Sequence, residues 1–312
     1  MTIDPELLPF LGGPATSDLN DIAGSRAIAK EVTDQVVASR RDVHDVRWRD
    51  TQTSDDAGRS VTVRIYSRHD IPVPAGALLF VHGGAFVFGD LELEHDRCVF
   101  YAQHTPAIIV ALDYRLAPEH PYPAAHDDVW STLQWLTHHA EELGIDPARI
   151  CIGGASAGGA LAQGVALRAR DEHDPQIAAV MLMYPALDDR GTGASMADFE
   201  VFDPWDASRS RMMWPLYLGG EGDAPAYAAP ARAVDLSRLP QTFVMSCEAD
   251  PLRDEDLDFA RRLIAAGVSV ELHHYRGTYH AFDVIGPEAA VSRRALAEQA
   301  SFLLSSIGAD PQ

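Results

Sequence analysis

The sequence predicts an α/β fold, a mostly parallel central sheet flanked by helices, and three observations carry that prediction. Short apolar runs alternate with helix-length amphipathic stretches over most of the 312 residues, the rhythm of right-handed βαβ units. Residues 77–81 and 107–112 are apolar without interruption, as parallel strands covered on both faces tend to be. The turn Gly153-Gly154-Ala155-Ser156-Ala157-Gly158-Gly159 joins a strand-like run, 149–152, to a helix-like run, 160–170. Its small residues suit a sharp turn that holds one hydroxyl in a strained backbone.

Taken in order, residues 1–45 read as helical, with Ala27, Ile28, Val32, Val36 and Val37 near helical spacing behind the breakers Pro5, Pro9 and Pro14. A strand at 43–48 pairs with an alternating strand at 61–66 through a polar turn near Asp55 to Gly58. The two buried strands follow, then an amphipathic helix over 127–142 with Val129, Leu133 and Leu136 on one side. After the Ser156 turn and its helix comes a strand at 177–183. Residues 188–225 break the rhythm, with Phe202, Trp205, Met212, Met213, Trp214 and Tyr217 scattered among Gly, Pro and Asp. Such side chains suit either an apolar pocket lining or ordinary helix packing. The sheet resumes at 241–247, followed by a helix at 252–266, a strand at 268–275, a loop at 277–282 and a last helix at 288–305.

Composition excludes several classes of function. Apolar residues at 46% are ample for a core, and a formal charge of −21 repels nucleic acid and anionic membrane surfaces. Cys98, Cys151 and Cys247 are odd in number and widely spaced, so they make no disulfide framework. The first residues lack the basic start and apolar block of a secretory signal. The longest apolar run, 177–187, is too short and Pro-broken to span a bilayer. A cytoplasmic protein without membrane or nucleic-acid partners is the expectation.

A serine hydroxyl needs a base, and the base needs an orienting carboxylate. In such a sheet reactive groups collect at the carboxyl ends of the strands. Three strand ends offer Ser156, Asp250 and His280, the chain order of an α/β-hydrolase. The amides of Ala157, Gly83 and Gly84 are the candidate oxyanion donors. Asp250-Pro251 also reads as a helix N-cap, and the two roles are compatible. Asp254, Glu255 and Asp256 fit better as first-turn acids that complement a helix dipole. His273 and His274 lie inside an alternating strand, one facing inward and one outward, and are worse placed than His280. No His, Cys or carboxylate spacing suggests a metal. A Walker loop is excluded because Gly159 is followed by Ala160 and Leu161.

With these residues in view, the chain resembles the hormone-sensitive-lipase-like branch of the α/β-hydrolases, the family IV bacterial carboxylesterases. The resemblance rests on His82-Gly83-Gly84-Ala85-Phe86, on 113–125, which opens Asp113-Tyr114-Arg115-Leu116-Ala117-Pro118, on the Ser156 turn, on Asp250-Pro251-Leu252-Arg253-Asp254-Glu255 and on Tyr279-His280-Ala281-Phe282. It implies an α/β-hydrolase domain over 46–187 and 226–312, with a helical cap from 1–45 and 188–225. It implies Ser156 as nucleophile, His280 as base, Asp250 as acid, and Gly83, Gly84 and Ala157 as oxyanion donors. It also implies hydrolysis of short- to medium-chain carboxylic esters without a cofactor, and a homodimer. The substrate would meet Phe86, Phe88, Tyr184, Trp205, Trp214, Tyr217 and Phe282. Two positions depart from the family pattern: Ala155 replaces the usual Asp or Thr before the nucleophile, and Ala85 replaces the third Gly of the oxyanion stretch. The competing readings are a receptor-like member that binds without catalysis, or a hydrolase of amides, carbamates or thioesters.

Overall fold

The computed structural model describes residues 1–12, 17–40, 43–54, 58, 60–220 and 222–308. Its strands are β1 (Val46–Gln52), β2 (Thr62–Arg68), β3 (Ala75–Val81) and β4 (Ala107–Asp113), then β5 (Ile145–Ala155), β6 (Ala179–Met183), β7 (Gln241–Ala249) and β8 (Val270–Tyr279). They form one sheet in the order β1-β2-β4-β3-β5-β6-β7-β8. From β4 onward along that order every pairing is parallel, while β1–β2 and β2–β4 are antiparallel. The predicted pairing of the first two strands is present, with Trp48 opposite Tyr66. The polar turn expected between them falls, apart from Gly58, outside the described residues.

Side chains alternate across the sheet and both faces are covered. On one face Leu79, Val110, Ile152 and Val244 pack with α3 (Ala124–His138), α5 (Ala157–Glu172) and α8 (Arg253–Ala265) through Leu133, Leu161 and Phe259. On the other, Leu78, Phe80, Ile109, Cys151 and Met181 meet α2 (His95–His104) and α10 (Ala290–Ile307) through Cys98, Tyr101 and Leu303. This two-sided burial is why β3 and β4 carry unbroken apolar sequence. All three cysteines are buried and unpaired. No described helix is long and apolar enough to cross a membrane.

The elements differ from expectation in two places. The helix predicted over 127–142 is two helices, α3 and α4 (Ala140–Leu143), separated at His139. Strand β8 runs past a register shift opposite Cys247 and Ala249, and Tyr279 still pairs with Ala249. The first half of the loop expected at 277–282 is therefore strand, and α9 (Phe282–Ile285) begins after the short turn of His280 and Ala281. Residues 188–225 hold α6 (Ala194–Asp198) and α7 (Ala207–Leu218), and near the N-terminus lies α1 (Ile22–Ser39), started by Asp21 accepting from the Gly24 amide.

Candidate active site

Between the end of β5 at Ala155 and the start of α5 at Ala157, Ser156 is the whole turn. Its φ of 53° and ψ of −120° cost a non-glycine residue about 1–3 kcal/mol. Backbone hydrogen bonds hold it there: Ser156 N–H donates to Met183 O at 2.9 Å, and Ser156 O accepts from the Gly159, Ala160 and Ala186 amides at 2.9, 3.2 and 3.1 Å. Ala155 is buried and pairs with Met183 across β5 and β6. Packing and main-chain pairing thus support the turn where the family pattern has a polar side chain.

His280 directly follows β8. Its Nε2 lies 2.9 Å from Ser156 Oγ, and its Nδ1 lies 2.7 Å from Asp250 Oδ2. Asp250 is fully buried, and its other oxygen accepts from the Leu252 amide at 2.9 Å. One carboxylate thus both braces the turn into α8 and faces the imidazole. It accepts at Nδ1–H, which leaves Nε2 free to accept from the serine hydroxyl. His273 and His274 are elsewhere: the first stacks on Phe243 at 5.0 Å, and the second sits 2.9 Å from Ser246 Oγ.

The amides of Gly83, Gly84 and Ala157 donate to no described group. Burial pushes the His82 imidazole down to about 4, so it is neutral near pH 7. Its Nδ1–H donates to Gly83 O at 2.7 Å, and its ring stacks on Tyr114 at 4.1 Å. The Tyr114 hydroxyl in turn donates to His82 O at 3.0 Å. Gly84 sits at φ 110°, and a Cβ there would lie 2.2 Å from Phe88 O. The loop can take this shape only with glycine at that position.

A cavity of about 710 Å³ opens over Ser156 and His280, lined also by Gly83, Gly84, Ala85, Phe88, Tyr184 and Trp205. Of the aromatic residues expected to meet substrate, Phe88, Tyr184 and Trp205 line it. Phe86, Trp214, Tyr217 and Phe282 do not. Phe86, at φ 62°, turns into the core and stacks on Tyr217 at 3.8 Å, with Trp214 tilted against it at 5.5 Å. Phe282 is fully buried against Tyr275.

Sequence reasoning passed over two groups. Helix α1 contributes Arg26, Ala29, Lys30, Thr33, Asp34 and Val37 to the cavity. Arg26 fastens the helix by donating to Val87 O and Ala117 O and by pairing with Glu119 at 2.7 Å. Behind His280 lies a buried network centred on Arg97, which donates to Glu94, Asp283, Gln299 and Tyr184 at 2.8–2.9 Å. The Tyr184 ring meets His280 edge-on at 4.9 Å. No local motif marks this network, because its members come from α2, α9, α10 and the end of β6.

A family model described as the alpha/beta hydrolase fold matches residues 78–284. The chain belongs to the α/β-hydrolase family. Among its relatives, esterase LipI of Mycobacterium tuberculosis is 37% identical over 90% of this α/β-hydrolase and 88% of the relative. Carboxylesterase NlhH of the same species is 37% identical over 75% of this chain and 76% of its own. Of solved structures, a bacterial heroin esterase superposes with a TM-score of 0.94 at 37% identity, covering 99% of both chains. The hydrolase fold and the resemblance to its hormone-sensitive-lipase-like branch agree with these matches.

Proposed function

We propose that this α/β-hydrolase is a serine carboxylesterase that cleaves short- to medium-chain carboxylic esters through an acyl-enzyme on Ser156. The observation that carries the reading is the continuous line from Asp250 through His280 to Ser156 Oγ, beside three amides with no partner among the described residues. The esterase names of its relatives support the bond type. His280 Nε2 takes the hydroxyl proton as Oγ attacks the ester carbonyl carbon, and Asp250 stabilises the imidazolium. The amides of Gly83, Gly84 and Ala157 receive the oxyanion, each such donor typically contributing about 10²–10³ in rate. Collapse breaks the ester C–O bond, and the imidazolium returns its proton to the departing alcohol. Water, deprotonated by the same nitrogen, then frees the acid.

Residues 1–45 and 188–225 act in this reading as a helical cap over the catalytic domain of 46–187 and 226–312. Support comes from α1 and Trp205 lining the cavity. Phe88, Tyr184 and Trp205 meet substrate, and Phe86, Trp214, Tyr217 and Phe282 hold the wall behind them. Unpaired buried cysteines suit a reducing cytoplasm. The homodimer implied by the resemblance is checked by sedimentation.

The test is covalent labelling with a fluorophosphonate, mapped to its residue by mass spectrometry, alongside turnover of p-nitrophenyl acetate. Labelling at Ser156 is expected, and Ser156→Ala or His280→Ala lowers turnover by about four to six orders of magnitude. A folded protein that never labels would be a binding protein. Faster cleavage of a matched amide than of the ester would move the reading to another bond.

A further inference from the structure

The network behind His280 contains one guanidinium and two carboxylates. Asp283 is fully engaged: Oδ2 accepts from Arg97 Nη1 at 2.9 Å and from Gln299 Nε2 at 3.1 Å, and Oδ1 accepts from the Tyr184 hydroxyl at 2.8 Å. Glu94 is not. Its Oε2 accepts from Arg97 Nε at 2.8 Å, while Oε1 accepts from no described residue. Glu94 precedes α2, yet its side chain does not cap the helix. It is 6% exposed and lines the same cavity as Ser156. Burial and the nearby Asp283 charge raise its pKa. A carboxylate that shares its only described cation with a better-satisfied neighbour is short of positive charge.

The other charges around the cavity do not supply it. Arg26 is paired with Glu119, Lys30 with Asp34, and Glu92 with both Arg40 and Arg64. Asp90, at the exposed rim, adds a further negative charge. The cavity also presents the rings of Phe88, Tyr184 and Trp205. Aromatic rings and a desolvated anion lining one cavity are surroundings that attract a substituted ammonium ion.

We propose that the cavity selects esters that carry an ammonium group, held by Glu94 Oε1 and the surrounding rings. This rests on the esterase reading above and names its substrate class. A neutral ester of the same shape would enter without satisfying Glu94.

The test compares isosteric pairs in which N⁺ replaces a carbon. On the alcohol side the pair is choline acetate and 3,3-dimethylbutyl acetate. On the acyl side it is the p-nitrophenyl esters of 4-(trimethylammonio)butanoate and 5,5-dimethylhexanoate. In at least one pair the wild-type kcat/KM is expected to favour the cation about tenfold or more, and Glu94→Gln should bring that ratio towards one. The ratio cancels any general loss of activity in the variant. If the variant does not fold, competitive inhibition of the wild type is the second readout, with choline expected to inhibit more strongly than 3,3-dimethylbutan-1-ol. Equal kcat/KM within both pairs, or a ratio unchanged in Glu94→Gln, overturns the proposal. Equal inhibition by the two alcohols together with equal wild-type kcat/KM in the acyl pair does the same. Turnover of p-nitrophenyl acetate is read separately: its presence with equal ratios removes only the ammonium preference, and its absence removes the esterase reading itself.

Discussion

Gly158→Ala tests whether the catalytic geometry depends on the close approach of β3 and α5. Gly158 lies in the first turn of α5, and a Cβ there would stand 2.1 Å from Val81 O and 2.4 Å from His82 O. Ordinary contact begins near 3.4 Å, so the two backbones must part by about 1.3 Å. Both obstructing atoms are main chain and neither can rotate away. The separation would pull Ala157 on one side from Gly83 and Gly84 on the other, which are the two halves of the proposed oxyanion site. Overpacking of this kind costs about 1–3 kcal/mol of stability. A misplacement of about 1 Å costs on the order of 10²-fold in rate, and loss of one donor costs about 10²–10³. The expected result for p-nitrophenyl acetate is therefore a fall in kcat of about 10²–10³, with a smaller change in KM. Gly76→Ala supplies the control. Its Cβ would meet the Ile307 side chain at 2.4 Å, in β3 but far along the strand from the site, and it should lower Tm without a comparable loss of kcat. A folded Gly158→Ala enzyme within tenfold of the wild-type kcat would refute the reasoning.

Two further substitutions probe buried polar groups. Asp256 is fully buried in α8, and neither carboxylate oxygen has a hydrogen-bond partner among the described residues. Burial raises its pKa well above the ordinary value. The unfolded chain therefore loses this proton first, and stability falls as pH rises from about 4 towards the folded pKa. Asp256→Ala should gain about 1–3 kcal/mol at pH 8 and little near pH 4, read by urea denaturation at both values; an equal gain at the two would refute the assignment. Tyr217→Phe removes a buried hydroxyl without a partner among the described residues while keeping the ring stacked on Phe86. It should stabilise the protein by about 1 kcal/mol, and a clear fall in Tm would show that the hydroxyl has a partner after all.

What the sequence showed plainly was whatever local chemistry determines. The unbroken apolar strands announce two-sided burial, and the small residues around Ser156 announce the turn. The order of Ser156, Asp250 and His280 follows from where the strands end. Harder to read were contacts between distant segments. Arg97 and Gln299 are far apart in the chain, and nothing in either neighbourhood marks the other. Phe86 and Phe88 look alike in sequence, yet the positive φ of Phe86 sends one ring into the core and leaves the other in the cavity. Asp256 has the position of a first-turn acid, as expected, but its burial depends on the sheet beneath α8. The extension of β8 to Tyr279 depends on an irregular pairing with β7 that no residue pattern announces.

The main-chain bonds around Ser156 bear on how replaceable its hydroxyl is. Its N–H is committed to Met183, and its carbonyl gathers the amides of Gly159, Ala160 and Ala186. None of these four bonds involves the side chain. The fold therefore specifies a socket rather than a serine: whatever side chain is fitted there projects from the same strained backbone towards His280. Chemistry at this position can be exchanged, a thiol for a hydroxyl for instance, without rebuilding the mount that holds it.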